Sequence, residues 1–414
     1  MFDETHAARS ARPLPGRRET VALLAGLMAL NAFAIDAMIP ALPAIGAALG
    51  VAHENDRQLV VVAYMLGFGA SQLLWGPLAD RFGRKPVLAV GVGLYALFAL
   101  ACSWAPSFEL LIAARVAMGA SAAVSRVLVT AMVRDLFEGD AMARTMSLIF
   151  MVFMVVPVVA PSVGQAILLV GRWQTIFDVL AVYAAAMLFW GMWRLPETLH
   201  PEYRRRLDFS SIRDAVRETL RDRLSLGYTL AATMIFGGLT AYIASIQQIV
   251  FDVFGEPQAI GLVFGAVAAP MALAAWTNSR IVGRFGLRRV GHVGVIAFAA
   301  ITAAHFVAAS LFGERLPMFV AFQALVMIAF AMSSANLSTL AMTNMARVAG
   351  TASSVQGVMG SVGGALIGLV VGRQFDGTQL PFLAGVALSG SAGLAIVLIT
   401  ERGRLMRAGT ALRN

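Results

Sequence analysis

Residues 76–87 read Gly76-Pro77-Leu78-Ala79-Asp80-Arg81-Phe82-Gly83-Arg84-Lys85-Pro86-Val87, a charged turn set inside an apolar tract. Apolar runs near 57–79 and 86–104 flank it, each long enough to cross roughly 30 Å of hydrocarbon as a helix of about 20 residues. The turn has an echo. Residues 277–290 read TNSRIVGRFGLRRV, and the two Arg-Phe-Gly triplets begin at 81 and 284, a separation of 203 in a 414-residue chain. A repeat at half the chain length, at the same place in an apolar pattern, predicts two related halves.

Working outward from these turns, further spans fall near 20–47, 108–133, 142–169 and 173–194. The second half continues with 224–251, 257–279, 288–312, 316–342, 351–373 and 380–400. The expected fold class is therefore an all-α membrane protein with twelve transmembrane helices, six in 1–195 and six in 224–414. The stretch 196–223 between them is a polar linker on the cytoplasmic side, and its later part is expected to form an amphipathic helix on the membrane surface.

Composition agrees with that reading and closes off others. The chain is 59% hydrophobic and 13% charged, with a mean hydropathy of +0.76. Soluble domains carry about 25% charged residues, and disorder requires low hydrophobicity. A disulfide framework is excluded because Cys102 is the single cysteine. The net charge of +9 does not indicate nucleic acid, since the arginines cluster between spans. With the N-terminus inside, 26 of the 32 basic residues fall in cytoplasmic segments and 4 outside, while Arg115 and Arg126 lie within spans. That asymmetry is the positive-inside rule, and it puts both termini in the cytoplasm. Arg17-Arg18 could imitate a twin-arginine signal, but the following run is too long, holds Asp36 and offers no small-residue cleavage site.

Gly76 to Lys85 resembles the loop signature of the major facilitator superfamily. Other segments resemble its Bcr/CflA-type drug–proton antiporters: AIDAMIPALP at 34–43, RVAMGASAA at 115–123, VRDLFEGD at 133–140 and PVVAPSVG at 157–164. LPETL at 195–199, AGTASS at 349–354 and DGT at 376–378 extend the likeness into the second half. The resemblance implies two pseudo-symmetric six-helix bundles around a central cavity. It also implies secondary active, proton-coupled export of small amphipathic drugs by alternating access. A proton-coupled importer of a small metabolite would share the fold and is the alternative. A monomer in the lipid bilayer, working on a small-molecule substrate and protons, is expected.

Asp36 is the acid that stands out, near the middle of the first span, where an ionised carboxylate costs about 2.5–3.5 kcal/mol or more. A carboxyl held between desolvation and a cation can load and release protons as water access changes; a permanent ion pair with an arginine is the plainer role. Pro40 and Pro43 predict a bend or unwinding just beyond it. Arg115 and Arg126 are eleven residues apart, so at 100° per residue they share one helix face. Asp36 falls between them in depth, with Arg115 about 9 Å outward and Arg126 about 8 Å inward of the midplane. Arg115 matches the family's fourth-span arginine, whose role is proton coupling, whereas Arg126 has no counterpart there and is a candidate for substrate contact or interhelical glue. Asn31 and Asn336 are candidate cavity residues.

By the same resemblance Gly76, Asp80, Arg81, Gly83, Arg84 and Asp135 form a conformational latch, with the two glycines allowing close approach and a tight turn. Gly283 stands where Asp80 would align in the second half, so that copy lacks the acid. Pro157, Pro161 and Gly164 match the antiporter-type bend of the fifth span, expected to pack closely on its partner in the other half, and Gln165 departs from that pattern. Asp178 is expected at the outer rim, and His305 stays unassigned. No Walker loop, metal-spaced His/Cys set or nucleophile triad is present, so no cofactor, metal site or enzyme activity is expected.

Overall fold

A computed structural model describes residues 16–199, 202 and 209–406. Arg9 and Arg12, the Arg204–Arg206 run of the linker, and Arg407 and Arg413 lie outside the described residues. Every regular element described is helical. The first half comprises α1 (Arg17–Asp36), α2 (Leu42–Ala48), α3 (Leu59–Phe82), α4 (Arg84–Ser103), α5 (Phe108–Leu136), α6 (Gly139–Val170) and α7 (Trp173–Arg194). After α8 (Phe209–Arg221) follow α9 (Arg223–Gln248), α10 (Ile260–Phe285), α11 (Leu287–Phe312), α12 (Leu316–Ala341), α13 (Ala349–Arg373) and α14 (Leu380–Thr400). Among the described residues eleven spans are long and apolar enough to cross a membrane. A twelfth candidate, α6, has 32 residues and carries the apolar stretch Val155–Val170.

The elements end where local chemistry ends them. Pro40 has no N–H, and its ring displaces the carbonyl four residues back, which is that of Asp36. The first span accordingly stops as an α-helix at Asp36, passes through a 3₁₀ turn at Ile39–Ala41, and resumes as α2 with Pro43 in its first turn. Gly83, at φ +101°, turns α3 into α4, and Gly286, at φ +83°, turns α10 into α11, so the repeated triplet is also a repeated backbone turn. Ser107 caps α5 by accepting from the N–H of Leu110, and Asp222 caps α9 by accepting from that of Ser225 at 2.7 Å. The linker helix α8 buries Thr219, leaves Arg213, Arg217 and Arg221 exposed, and is tied to the second half by Arg347–Glu218.

Packing repeats as the sequence does. In the first half α3 and α4 pack on α5, α4 on α7, and α1 on α6; in the second half α10 and α11 pack on α12, α11 on α14, and α9 on α13. Buried apolar side chains form two clusters. One runs from Leu23 to Leu195 and takes in Ala365; the other runs from Tyr228 to Val397 and takes in Ile39. The halves meet along α3 with α13 and α6 with α10.

The two ends of the molecule differ. Glu19–Arg194, Arg84–Asp135, Arg223–Thr400 and Arg288–Glu401 gather one arginine-rich end, and each of these contacts stays within a half. At the opposite end the halves are stitched together. Asn55 donates to the carbonyls of Arg373 and Phe375, Arg373 pairs with Asp56 at 3.2 Å, and Gln165 donates to the carbonyl of Pro257. Gln248 bonds both Gln58 and Asn55, and Gln58 also donates to the carbonyl of Gly372. The deepest stitch is Gln72, which donates to Ser361 and to the carbonyl of Gly357. None of the contacts named here at the arginine-rich end joins the first half to the second.

Candidate functional site

Asp36 is the last residue of α1 and is 3% exposed. Among the described residues its carboxylate has no hydrogen bond and no ion pair. The break beside it is fixed from two sides. Gly164 of α6 lies so close that a Cβ there would come within 2.1 Å of the carbonyl oxygen of Ala37. On the other side Ile39 enters the second-half core, which also contains Tyr242. The Tyr242 phenol is 3% exposed, and its hydroxyl has no partner among the described residues.

The structural ion pair weighed for Asp36 is not present. Arg115 is fully buried and donates to the carbonyl of Val60 at 2.7 Å and to that of Ala34 at 3.1 Å. Its guanidinium also lies over the rings of Tyr64, at 4.6 Å, and Phe177, at 5.8 Å. The cation thus reaches the backbone two residues before Asp36 and not the carboxylate. Carbonyls of a final helical turn lack intrahelical donors, so a cation there is favourable. Asn31 accepts from the Tyr64 hydroxyl at 3.1 Å and leaves its own Nδ2 unpaired.

Arg126 has the opposite environment. Although it shares a face with Arg115, it is exposed, about two-thirds of the way along α5. It has no carboxylate partner among the described residues, and it lies 5.9 Å from the ring of Phe68. Phe68 is about 200° around α3 from exposed Ala70 and about 40° from Gln72, which bonds to α13. The guanidinium therefore lies on the side of α3 that meets α13 of the other half. Asn336 is buried, and its Nδ2 donates to the Oδ1 of Asn278 at 2.8 Å and to the carbonyl of Met332 at 2.6 Å.

Asp80, Arg84 and Asp135 come together at the arginine-rich end. Arg84 pairs with Asp80 at 2.6 Å and with Asp135 at 3.3 Å, joining the ends of α3, α4 and α5. Arg81 is exposed and lies over the ring of Phe82. Glu197 is a member that the sequence reading did not assign. It accepts from the backbone N–H groups of Arg84, at 2.8 Å, and Lys85, at 3.2 Å, while Thr198 donates to Asp135 at 3.0 Å. An acid placed against unpaired N–H groups at a helix start is a favourable cap; its one trace in the sequence is Pro196-Glu197 just past the sixth span. Gly83 is required here twice over, by its positive φ and because a Cβ would meet the Glu197 carboxylate at 2.5 Å. Gly76 is not: a Cβ there would meet only Val127, at 3.9 Å, so the expected close approach at Gly76 is corrected.

The fifth span packs on α10 in the other half as expected, although not through Gly164. Gly164 packs on the break of α1 in its own half, and α10 is approached instead by Ser162, opposite Gly261, and Val158, opposite Gly265. Pro157 and Pro161 both lie inside an unbroken α6. Asp178 is half-buried without a partner among the described residues, and His305 is bonded to Glu314 in a buried pair against Phe322.

The described residues thus hold a buried carboxyl without a partner at a broken helix, an exposed cation without a carboxylate partner, and two repeated helix sets stitched at one end. The sequence profile described as Major Facilitator Superfamily matches residues 24–368. The chain belongs to the major facilitator superfamily. It is similar to the MFS-type transporter YdgK of Bacillus subtilis, 32% identical over 368 residues that cover 87% of this chain and 90% of that protein. It is likewise similar to a bicyclomycin resistance protein homolog of Haemophilus influenzae, 31% identical over 86% of this chain and 89% of that one. The xylose transporter XylE of Escherichia coli, in a partially occluded inward open conformation, superposes with a TM-score of 0.72 at 12% identity, covering 95% of this chain and 99% of that chain. The protein is a multi-pass membrane transporter of this superfamily, with relatives of the Bcr/CflA drug-resistance type, and not an enzyme.

Proposed function

We propose that the protein is a secondary active exporter of the bacterial inner membrane that exchanges protons for small amphipathic drugs or xenobiotics. Two six-helix bundles, 1–195 and 224–414, rock about the cavity between them, and the arginine-rich end and both termini face the cytoplasm. The distribution of basic residues supports that orientation. The stitched end is then periplasmic, and the described state is open toward the cytoplasm. The similarity to a bicyclomycin resistance homolog supports export.

The observation that carries the reading is Asp36, buried and unpaired at the break of α1, immediately inside the stitched end. A carboxyl without a fixed cation can alternate between protonated and ionised forms as the surrounding water changes. It takes a proton when the periplasmic end opens and gives it to cavity water when the cytoplasmic end opens, and substrate binding follows release. Arg115 holds the helix end that carries Asp36, and Arg126, beside Phe68, is the polar contact for substrate. The cluster of Asp80, Arg84, Asp135 and Glu197 rigidifies the first-half ends and meets the second half when the cytoplasmic end closes.

The test uses the purified protein in vesicles with an imposed pH gradient and a panel of radiolabelled neutral, anionic and cationic amphipaths. Wild-type protein exchanges substrate against protons, whereas Asp36→Asn inserts normally and loses gradient-driven flux. Wild-type flux in Asp36→Asn rules the proton role out, and co-directional movement of proton and substrate in the wild type identifies an importer instead.

A further inference from the structure

The first half ties its arginine-rich end with carboxylates. Arg84 is held by Asp80 and Asp135, and Glu197, just past α7, accepts from the backbone of Arg84 and Lys85. The second half keeps only part of that plan. Lys85 and Arg288 are 203 residues apart, the spacing of the repeated triplets, and Glu197 and Glu401 are 204 apart. Glu401, just past α14, accordingly lies 3.6 Å from Arg288 at the start of α11. Gly283 supplies no counterpart of Asp80. Beside Glu401 there is instead a buried histidine, His292 of α11, which the proposed transport cycle does not use.

The Nδ1 of His292 accepts from the backbone N–H of Met406 at 3.0 Å. An accepting Nδ1 carries no proton, so in the neutral ring the proton sits on Nε2. Nε2 lies 3.1 Å from the hydroxyl of Tyr228 on α9, which takes that bond with its oxygen and donates its own proton to the Glu401 carboxylate. The hydrogen bonds therefore run in one direction, from Met406 to His292 to Tyr228 to Glu401. The chain bends back to make the first of them. Gly403, at φ +73°, reverses it after α14, Leu405 packs on the second-half core, and Arg402 and Met406 also take positive φ. Non-glycine residues at positive φ need a hold from their surroundings, and His292 supplies one for Met406. The other charged groups on the elements around His292 are engaged elsewhere or exposed. Arg288 is turned to Glu401, Arg223 to the carbonyl of Thr400, and Asp222 caps α9. Arg289, Arg402 and Arg404 are exposed, and on α10 Arg280 and Arg284 lie over the rings of Trp276 and Phe285. Helices α12 and α14, which also pack on α11, carry no ionisable residue.

We propose that His292 is a pH-sensitive clasp for residues 401–406: the neutral ring holds the segment against α9 and α11, and protonation of Nδ1 releases it. A second proton on the ring turns its acceptor into a donor, which then faces the Met406 N–H, donor against donor. Clasping and protonation at Nδ1 exclude each other, so the clasp is complete above about pH 6.5, the pKa of a solvated histidine, and loosens as pH falls below it. The inference rests on the orientation proposed above only in making this the internal pH. A transporter that admits protons then loosens the end of its own second half as the cytoplasm acidifies. The carboxylate ties of the first half contain no histidine and do not respond in that range.

The segment can be followed in detergent with spin labels at Arg404→Cys and Phe312→Cys, both exposed positions, on a Cys102→Ser background. His292 and Phe312 are about 30 Å apart along α11, within range of double electron–electron resonance. Near pH 8 the labels should give one narrow distance. From about pH 6.5 to about pH 5.5 the ratio of clasped to released chain should fall by up to about tenfold, the ceiling for one proton, and a broad distribution should appear. His292→Gln keeps an acceptor and a donor but does not titrate, so its narrow distance should persist at the lower pH. His292→Phe offers neither and should give the broad distribution at every pH; Gln is the informative variant if Phe impairs folding. A single narrow distance in the wild type at both pH values overturns the clasp. So does broadening in His292→Gln equal to that of the wild type, which moves the titration to another group such as Glu401. The measurement needs neither a membrane nor flux, so its failure leaves the exporter reading intact, and a failure of proton-driven export leaves the clasp standing.

Discussion

Arg115 and Arg126 occupy one face of one helix and have opposite relations to water. Arg115 is sealed and satisfied by carbonyls and rings, so its removal would strand the end of α1. Arg126 is exposed with no carboxylate partner among the described residues, and in the proposed mechanism its charge serves the substrate. The planar guanidinium favours bidentate polar or anionic groups and repels lipophilic cations. Arg126→Met should weaken binding of polar or anionic amphipaths by about 1.5–3 kcal/mol, the scale of a hydrogen bond to a charged group. Binding of lipophilic cations should be unchanged or tighter. Affinities measured on the purified variant for a matched acid, amide and amine of one aromatic body decide it; a uniform loss across the three would mean that Arg126 only packs. Helical phase made the shared face readable from sequence. It did not reveal which arginine is sealed, because that depends on Tyr64, Phe177 and Phe68 arriving from other helices.

At the scale of elements, the junction of α1 and α6 is where sequence and structure agree on cause and differ on partner. Pro40 and Pro43 announced a break, and the chain breaks at Asp36 because the Pro40 ring excludes that residue's carbonyl from the ladder. Gly164 was legible as a close-contact glycine, but its partner was not, since α1 and the other half both lie within reach of the fifth span. Glu197 was harder still: its role exists only because the chain returns past α7 to the first turn of α4. The contrast between glycines is testable. Gly164→Ala forces a Cβ against the Ala37 carbonyl and should destabilise the protein by roughly 1–3 kcal/mol, the range for overpacking. Gly76→Ala has room and adds a better helix former, so its stability should be equal or slightly higher. Thermal unfolding of the two variants in detergent checks the pair, and an equal loss in both would show that local space at Gly164 is not the cause.

For the whole molecule, the proposed alternation between two open states turns on the stitched end, which is polar. Charged and amide residues at span ends read from sequence as solvated caps, so nothing in Asn55, Gln58 or Gln248 announced a seal. In the fold Gln248 bridges Gln58 and Asn55 across the halves, and both its bonds must break before that end can open. Each is worth about 0.5–1.5 kcal/mol net. Gln248→Leu removes both while retaining bulk, and water can satisfy Gln58 and Asn55 in the open state better than the seal can after the loss. The population open at that end should then rise roughly 5- to 150-fold, the equilibrium equivalent of 1–3 kcal/mol. Ile39→Cys reports this directly, because Ile39 is fully buried behind the seal. With Cys102→Ser removing the native thiol, labelling by a membrane-impermeant maleimide from the stitched side should accelerate by that factor in Gln248→Leu. An unchanged labelling rate would place the barrier to opening in the apolar contacts of α6 with α10 and leave the polar stitches as decoration.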